Sequence, residues 1–267
     1  LRKRLIAVLV YALVFGPTLR AQFISHDRLT GLTPPVFNGS DQFAGSSLDS
    51  TNWAMLDRQG DLSNSELQCY KPANVAVTGG ELVITAQVQS VTCNSNNYSY
   101  TSGMVQWRSL SFTYGTIEVR AKMTGGTGPW PSIWLLGANC QVTNLTTADN
   151  TGTCNWDAAG SDEIDFIEIL ASSTTQVNEQ IHTGGNNPGC TGSTGDVRQY
   201  HTYKLVWAAG DLQWFIDGSL QCHKTSFVPS TPMFLIVNVA MGGAGGSVSN
   251  GTLPVTMNVD YVTVTQP

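Results

Sequence analysis

Residues 115–123 read GTIEVRAKM, with Ile117, Val119 and Ala121 alternating against Glu118, Arg120 and Lys122. Successive side chains of a strand point to opposite faces, so this period of two describes a strand with one face buried and one wet. The pattern recurs along the chain. Residues 81–88 (ELVITAQV), 203–207 (YKLVW), 234–241 and 256–265 carry β-branched and aromatic residues over strand lengths. In 213–220 an apolar run precedes Asp217-Gly218, a pair that tolerates positive φ and marks a tight hairpin. No segment has a convincing helical period, and neither a repeat nor a linker divides the chain after residue 36. Many short strands with Gly-rich turns bury an apolar face best as two packed layers. The expected fold class is therefore all-β, a sandwich of two antiparallel sheets.

Composition narrows the function. The chain has 267 residues, only 12% of them charged, with 27 glycines, which suits one large all-β domain rather than a helical bundle. The formal net charge is −6 and no basic run follows the first few residues, so nucleic acid is excluded as the expected partner. An uncharged partner fits better. Arg2, Lys3 and Arg4 precede an apolar run over 5–15, broken by Gly16-Pro17 and followed by Ala21. That is the shape of an export signal over 1–21, and the run is short for a bilayer span; an uncleaved signal anchor is the alternative. Residues 22–35 read as a polar lead-in. The six cysteines are widely spread with no Cys-x-x-Cys pair, which favours disulfides in a secreted or periplasmic protein over a zinc site. Cys140 with Cys154, closing a polar loop, is the favoured pairing among about fifteen connectivities.

Chemistry concentrates in residues 162–170, DEIDFIEIL. Glu163 and Asp165 are two apart and share a strand face, whereas Glu168 would point away. One β-bulge between Asp165 and Glu168 restores it, so that all three acids line one face while the isoleucines enter the core. Crowded carboxylates cannot all ionise freely, so at least one pKa should rise. Glycoside hydrolysis uses that inequality, and a retaining mechanism needs its two carboxyls about 5–5.5 Å apart. By itself the stretch also fits a solvated acidic strand face or a calcium site.

The surrounding segments decide between these. NSELQCY (64–70), SGMV (102–105), YGTIEVRAK (114–122), GPWPSIWLLG (128–137), EIDFIE (163–168), HTY (201–203), Asp217-Gly218, residues 238–243 and VDYV (259–262) occur in order. Together they resemble glycoside hydrolase family 16, most of all its bacterial endo-β-1,3-glucanases (laminarinases). The resemblance implies a β-jelly-roll with a concave substrate cleft and a catalytic domain over 36–267. It also implies Glu163 as nucleophile, Asp165 as its assisting acid and Glu168 as acid/base, on a β-1,3- or mixed β-1,3/1,4-glucan. No cofactor is required, although a structural calcium is compatible with the family. The polysaccharide is the expected partner, with no membrane contact after signal removal and a monomeric protein. The sequence departs from the family at Asp162, where glycine is usual, and at Trp156-Asp157, where Trp-Pro is usual.

Trp130 and Trp134, four apart, share a face and serve either core or cleft. Trp156, in a polar loop just before the acids, is the better candidate for stacking on a sugar, and Trp207 and Trp214, in apolar strands, belong to the core or the back face. The resemblance places His182 in the cleft; a surface loop is its alternative. Arg120 shares a face with Glu118 and either pairs with an acid or donates its planar fork to sugar hydroxyls. Asn64 and Asn238 are weaker candidates of that kind. Alternatives to glucan hydrolysis are the same chemistry on agarose, carrageenan or a galactan, transglycosylation, and a non-catalytic lectin.

Overall fold

A computed structural model describes residues 37–142, 154–170 and 173–267. The export signal expected over 1–21 and the lead-in over 22–35 lie outside them. The described residues form strands β1 (Phe37–Asp41), β2 (Trp53–Met55), β3 (Arg58–Gln59), β4 (Gln68–Tyr70), β5 (Val75–Thr78), β6 (Glu81–Cys93), β7 (Asn96–Ser102), β8 (Met104–Trp107) and β9 (Gly115–Lys122). They continue with β10 (Pro129–Gly137), β11 (Glu163–Glu168), β12 (Gln176–His182), β13 (Gly189–Ser193), β14 (His201–Ala208), β15 (Asp211–Ile216), β16 (Ser219–Lys224), β17 (Met233–Met241) and β18 (Val255–Thr265). The helical elements among these residues are short 3-10 turns, in keeping with the missing helical period.

The strands make two stacked sheets of a jelly-roll. One has seven strands in the order β13-β12-β11-β10-β17-β8-β2. The other runs β16-β15-β14-β9-β18-β6-β7-β4-β3, with β1 beside β18 and β5 beside β6. Pairing is antiparallel as expected, except that β4 runs parallel to β7. Asp217 and Gly218 take φ of 49° and 79° and close the β15–β16 hairpin.

Alternation fills the core. Ile117, Val119 and Ala121 point inward from β9 and meet Ile133, Leu135, Val237 and Val239 from the facing sheet. Trp207 and Trp214 are buried among them, as their apolar surroundings predict. A second, smaller cluster lies on the other face of β10 and β17, where Leu136, Phe234 and Ile236 are covered by Leu56, Val142 and the cystine of Cys140 and Cys154. That disulfide is the expected one. Cys69–Cys93 and Cys190–Cys222 complete the set among the described residues.

Candidate active site

The site is built on β11. On β10, Ser132 pairs with Glu168, Ile133 with Ile167, and Trp134 with Asp165, so Phe166 is the extra residue. On β12, Asp165 faces Gln180 and Glu168 faces Asn178, three residues against two. The bulge therefore sits where the spacing of the acids requires it. Glu163, Asp165 and Glu168 emerge on the open face of the seven-stranded sheet, while Ile164, Phe166 and Ile167 join the core. A bulge breaks the ladder locally, and a buried carbonyl left unpaired is costly. Here the Asp165 carbonyl accepts a hydrogen bond from the Trp214 indole, which reaches across from β15 at 3.1 Å.

Each carboxyl has its own donors. Glu168 receives the Trp130 indole N–H on Oε1 at 2.7 Å and the Asn178 amide on Oε2 at 2.6 Å. Glu163 receives the Trp156 indole N–H on Oε2 at 2.8 Å. His182 Nε2 lies 3.0 Å from Asp165 Oδ2 and 3.8 Å from Glu163 Oε1, and its Nδ1 lies 2.8 Å from Asn187 Oδ1.

These surroundings separate the acids. Burial, then the charge of Asp165, pushes Glu168 up to about 7 against the pull of its two donors. Burial and the adjacent Asp165 hold the Glu163 carboxyl well above the usual carboxylate range, with the Trp156 N–H acting the other way. Burial disfavours charge on His182, but the hydrogen bond and charge of Asp165 outweigh it and raise its pKa. The cluster thus retains protons at neutral pH.

The two departures from the family pattern support this geometry. Asp162 is buried, accepting from the Thr183 hydroxyl at 2.5 Å and the Gly160 N–H at 3.1 Å. The Asp157 carboxylate accepts the Gly185 N–H, and its carbonyl accepts that of Gly184. Both acids tie the loop carrying Trp156 to the turn that follows His182. Trp156 remains 49% exposed, with its ring 5.4 Å from the His182 ring, and so offers a free face beside Glu163.

Trp130 and Trp134 both lie on the open face. Trp134 donates to Asn238, whose amide donates to the Tyr70 hydroxyl, which in turn donates to Glu66. Burial raises the Glu66 pKa. Asn64 reaches the edge of the site through its backbone. A Cβ on Gly243 would stand 2.4 Å from the Asn64 carbonyl oxygen and 2.9 Å from the Trp130 ring, so only glycine fits between them.

Arg120 does not join the site. It lies on the outer face of the other sheet, paired with Asp260 at 2.5 Å and stacked over Tyr200. Its expected alternative, an ion pair on a strand face, is the one observed. A period of two shows which residues share a face, not which sheet the strand joins.

Asn178 and Gln180 are further residues of the site that the motif spacing does not single out. Their signal is the alternation in 176–182, where Asn178, Gln180 and His182 interleave with buried Val177 and Ile181. Among the described residues, Glu163, Asp165 and His182 form a group whose ligand atoms lie within 4.8 Å of one another. Two carboxylates and an imidazole match calcium poorly, since that ion takes about six to eight oxygens.

The model of glycosyl hydrolases family 16 matches residues 69–263. The chain belongs to that family. Among its relatives are glucan endo-1,3-beta-glucosidase A1 of Niallia circulans and keratan-sulfate endo-1,4-beta-galactosidase of Sphingobacterium multivorum, each 32% identical over 84% of this chain. The matches cover 37% and 54% of those proteins, so this family 16 chain spans about half, or less, of their length. The laminarinase catalytic domain from Thermotoga maritima superposes with a TM-score of 0.75 at 28% identity, covering 86% of this chain and 98% of that one.

Proposed function

We propose that this family 16 chain is a secreted, retaining endo-hydrolase of β-1,3- or mixed β-1,3/1,4-glucan. The observation that carries the reading is the bulge after Asp165, which turns Glu163 and Glu168 to one face with Asp165 between them. Glu163 attacks the anomeric carbon as a carboxylate, the form that the Trp156 N–H on Oε2 favours against burial and the charge of Asp165, and Asp165 lies beside it within 3.0 Å of His182 Nε2. Glu168, protonated near neutral pH, gives its proton to the leaving glycosidic oxygen. The carboxylate so formed, held by Trp130 and Asn178, then takes a proton from the water that breaks the glycosyl–Glu163 ester. All groups in this sequence are side chains, and the chemistry needs no cofactor. The three disulfides support export, with a signal over 1–21 and a monomeric catalytic domain over 36–267.

The test is a panel of polysaccharides with reducing-sugar detection, followed by proton NMR of fresh product. The β-anomer is expected first, and initial α-anomer refutes the mechanism. Glu163→Gln removes turnover, and Asp165→Asn weakens it less. The similarity to the keratan-sulfate galactosidase favours a second reading, the same chemistry on a galactan, so galactans belong in the panel.

A further inference from the structure

The β6–β7 ribbon carries a feature that the hydrolytic site does not use. β6 was expected over 81–88 but runs on to Cys93, with a bulge between Val88 and Val91. The bulge sets Val88 opposite Tyr100 and Val91 opposite Tyr98. Directly opposed residues of an antiparallel pair share a face, so these four side chains stand together on one face of the ribbon. Val88 is 48% exposed, and the two tyrosines are half-buried.

A trough of about 420 Å³ lies on the tyrosine face of this ribbon, where Tyr98 and Tyr100 form its floor. It is walled by Leu62 and Leu67, whereas Asn97 points to the opposite face, where it accepts from the Thr92 hydroxyl. The trough is built rather than loose. The Tyr98 hydroxyl donates to Gln59 at 3.2 Å and that of Tyr100 to Asn250 at 2.9 Å, fixing both rings. The Cys69–Cys93 bond ties the ribbon to β4. The loop over 61–67 is a wall shared with the hydrolytic site, since its Asn64 carbonyl meets Gly243 beside Trp130 and its Glu66 accepts from Tyr70.

We propose that this trough is an accessory binding site for an uncharged polysaccharide strand, the same glucan that the hydrolytic site cuts. Among the described residues Glu66 is the one carboxylate lining it, with no Lys, Arg or His, and it accepts from Gln68 and Tyr70. Fixed aromatic rings among amides and hydroxyls suit the apolar C–H faces and hydroxyl rims of sugars. A strand held there keeps the polymer near the catalytic carboxyls between cuts. The substrate class rests on the proposed function; the existence of the trough does not.

The experiment is affinity electrophoresis in gels containing neutral β-glucans or galactan, with Tyr98→Ala and Tyr100→Ala placed in a Glu168→Gln background so that the polymer survives. A thermal melt of each variant checks folding. Tyr98→Ala is expected to lose polymer retention by about tenfold, the size of one aromatic contact. In the active enzyme the same change lowers kcat/KM on polymer and leaves cleavage of a short β-glucan oligosaccharide unchanged. Equal retention of folded variants and parent on every polymer overturns the proposal, as does a monomer–dimer shift that depends on Tyr98 without any glycan effect. Tyr98-dependent retention by an enzyme that cuts no glucan upholds the trough and rejects the proposed function. Glucan cleavage with unchanged retention does the reverse.

Discussion

Replacing Asn178 with leucine isolates the control of Glu168. The amide donates to Glu168 Oε2 at 2.6 Å and so favours the ionised carboxyl. A hydrogen bond to a charged group is worth about 1.5–3 kcal/mol, or about 1–2 pKa units. Asn178 is half-buried, so water replaces part of the lost donor, and Trp130 still holds the other oxygen. A rise of about one unit is expected. The acid must be protonated to act, so removing the donor extends activity toward alkaline pH. With Glu168 at about 7 in the parent, roughly a tenth of the enzyme is competent at pH 8. In Asn178→Leu the fraction becomes roughly a half. The assay is the alkaline limb of kcat/KM on a soluble glucan, which reports the free enzyme and, in a coupled cluster, a macroscopic value. An aryl glycoside with an activated leaving group needs no proton, so its alkaline limb flattens in both proteins. A limb that stays in place or moves to lower pH in Asn178→Leu refutes the assignment of Glu168 as the acid.

Trp214→Phe keeps an aromatic ring but leaves the Asp165 carbonyl buried without its donor. Urea unfolding should show a loss of about 1–3 kcal/mol, with kcat reduced more than KM is raised. Glu179 is 1% exposed, and burial pushes its carboxyl up to about 8. The folded chain therefore keeps a proton that the unfolded chain releases near pH 4.5, and stability falls as pH rises from there to about 8. Glu179→Gln should flatten that slope in chemical unfolding and raise the melting temperature at pH 8; an unchanged slope rejects the link. Replacing Cys140 and Cys154 together by serine should cost about 3 kcal/mol for a loop of this size and reduce activity through the mobility of Trp156. Unfolding curves and kcat on the same preparation check both parts.

Much of this architecture can be read from the chain because a period of two has few other meanings. The strand at 115–122, the Asp217-Gly218 hairpin and the bulge between Asp165 and Glu168 follow from local spacing alone. Cys140–Cys154 was accessible because a disulfide closes a polar loop between them. The rest depends on contacts between distant segments. Arg120 could be assigned a face but not a sheet, because sheet membership is set by β14 and β18 on either side. The parallel pairing of β4 with β7 depends on a connection that no local pattern describes. Asn178 contributes only because β12 is in register with the bulge, and Trp214 looks in sequence like any buried aromatic residue.

The indole of Trp214 has a consequence for attempts to redesign this family 16 chain. The interior is ordinarily treated as filler that tolerates any apolar residue of similar volume. Here one filler atom is a tether that fixes the pitch of the catalytic strand from the opposite layer. Libraries that randomise the interior for heat resistance will therefore drift in turnover even when every surface residue is untouched, and position 214 should be held constant.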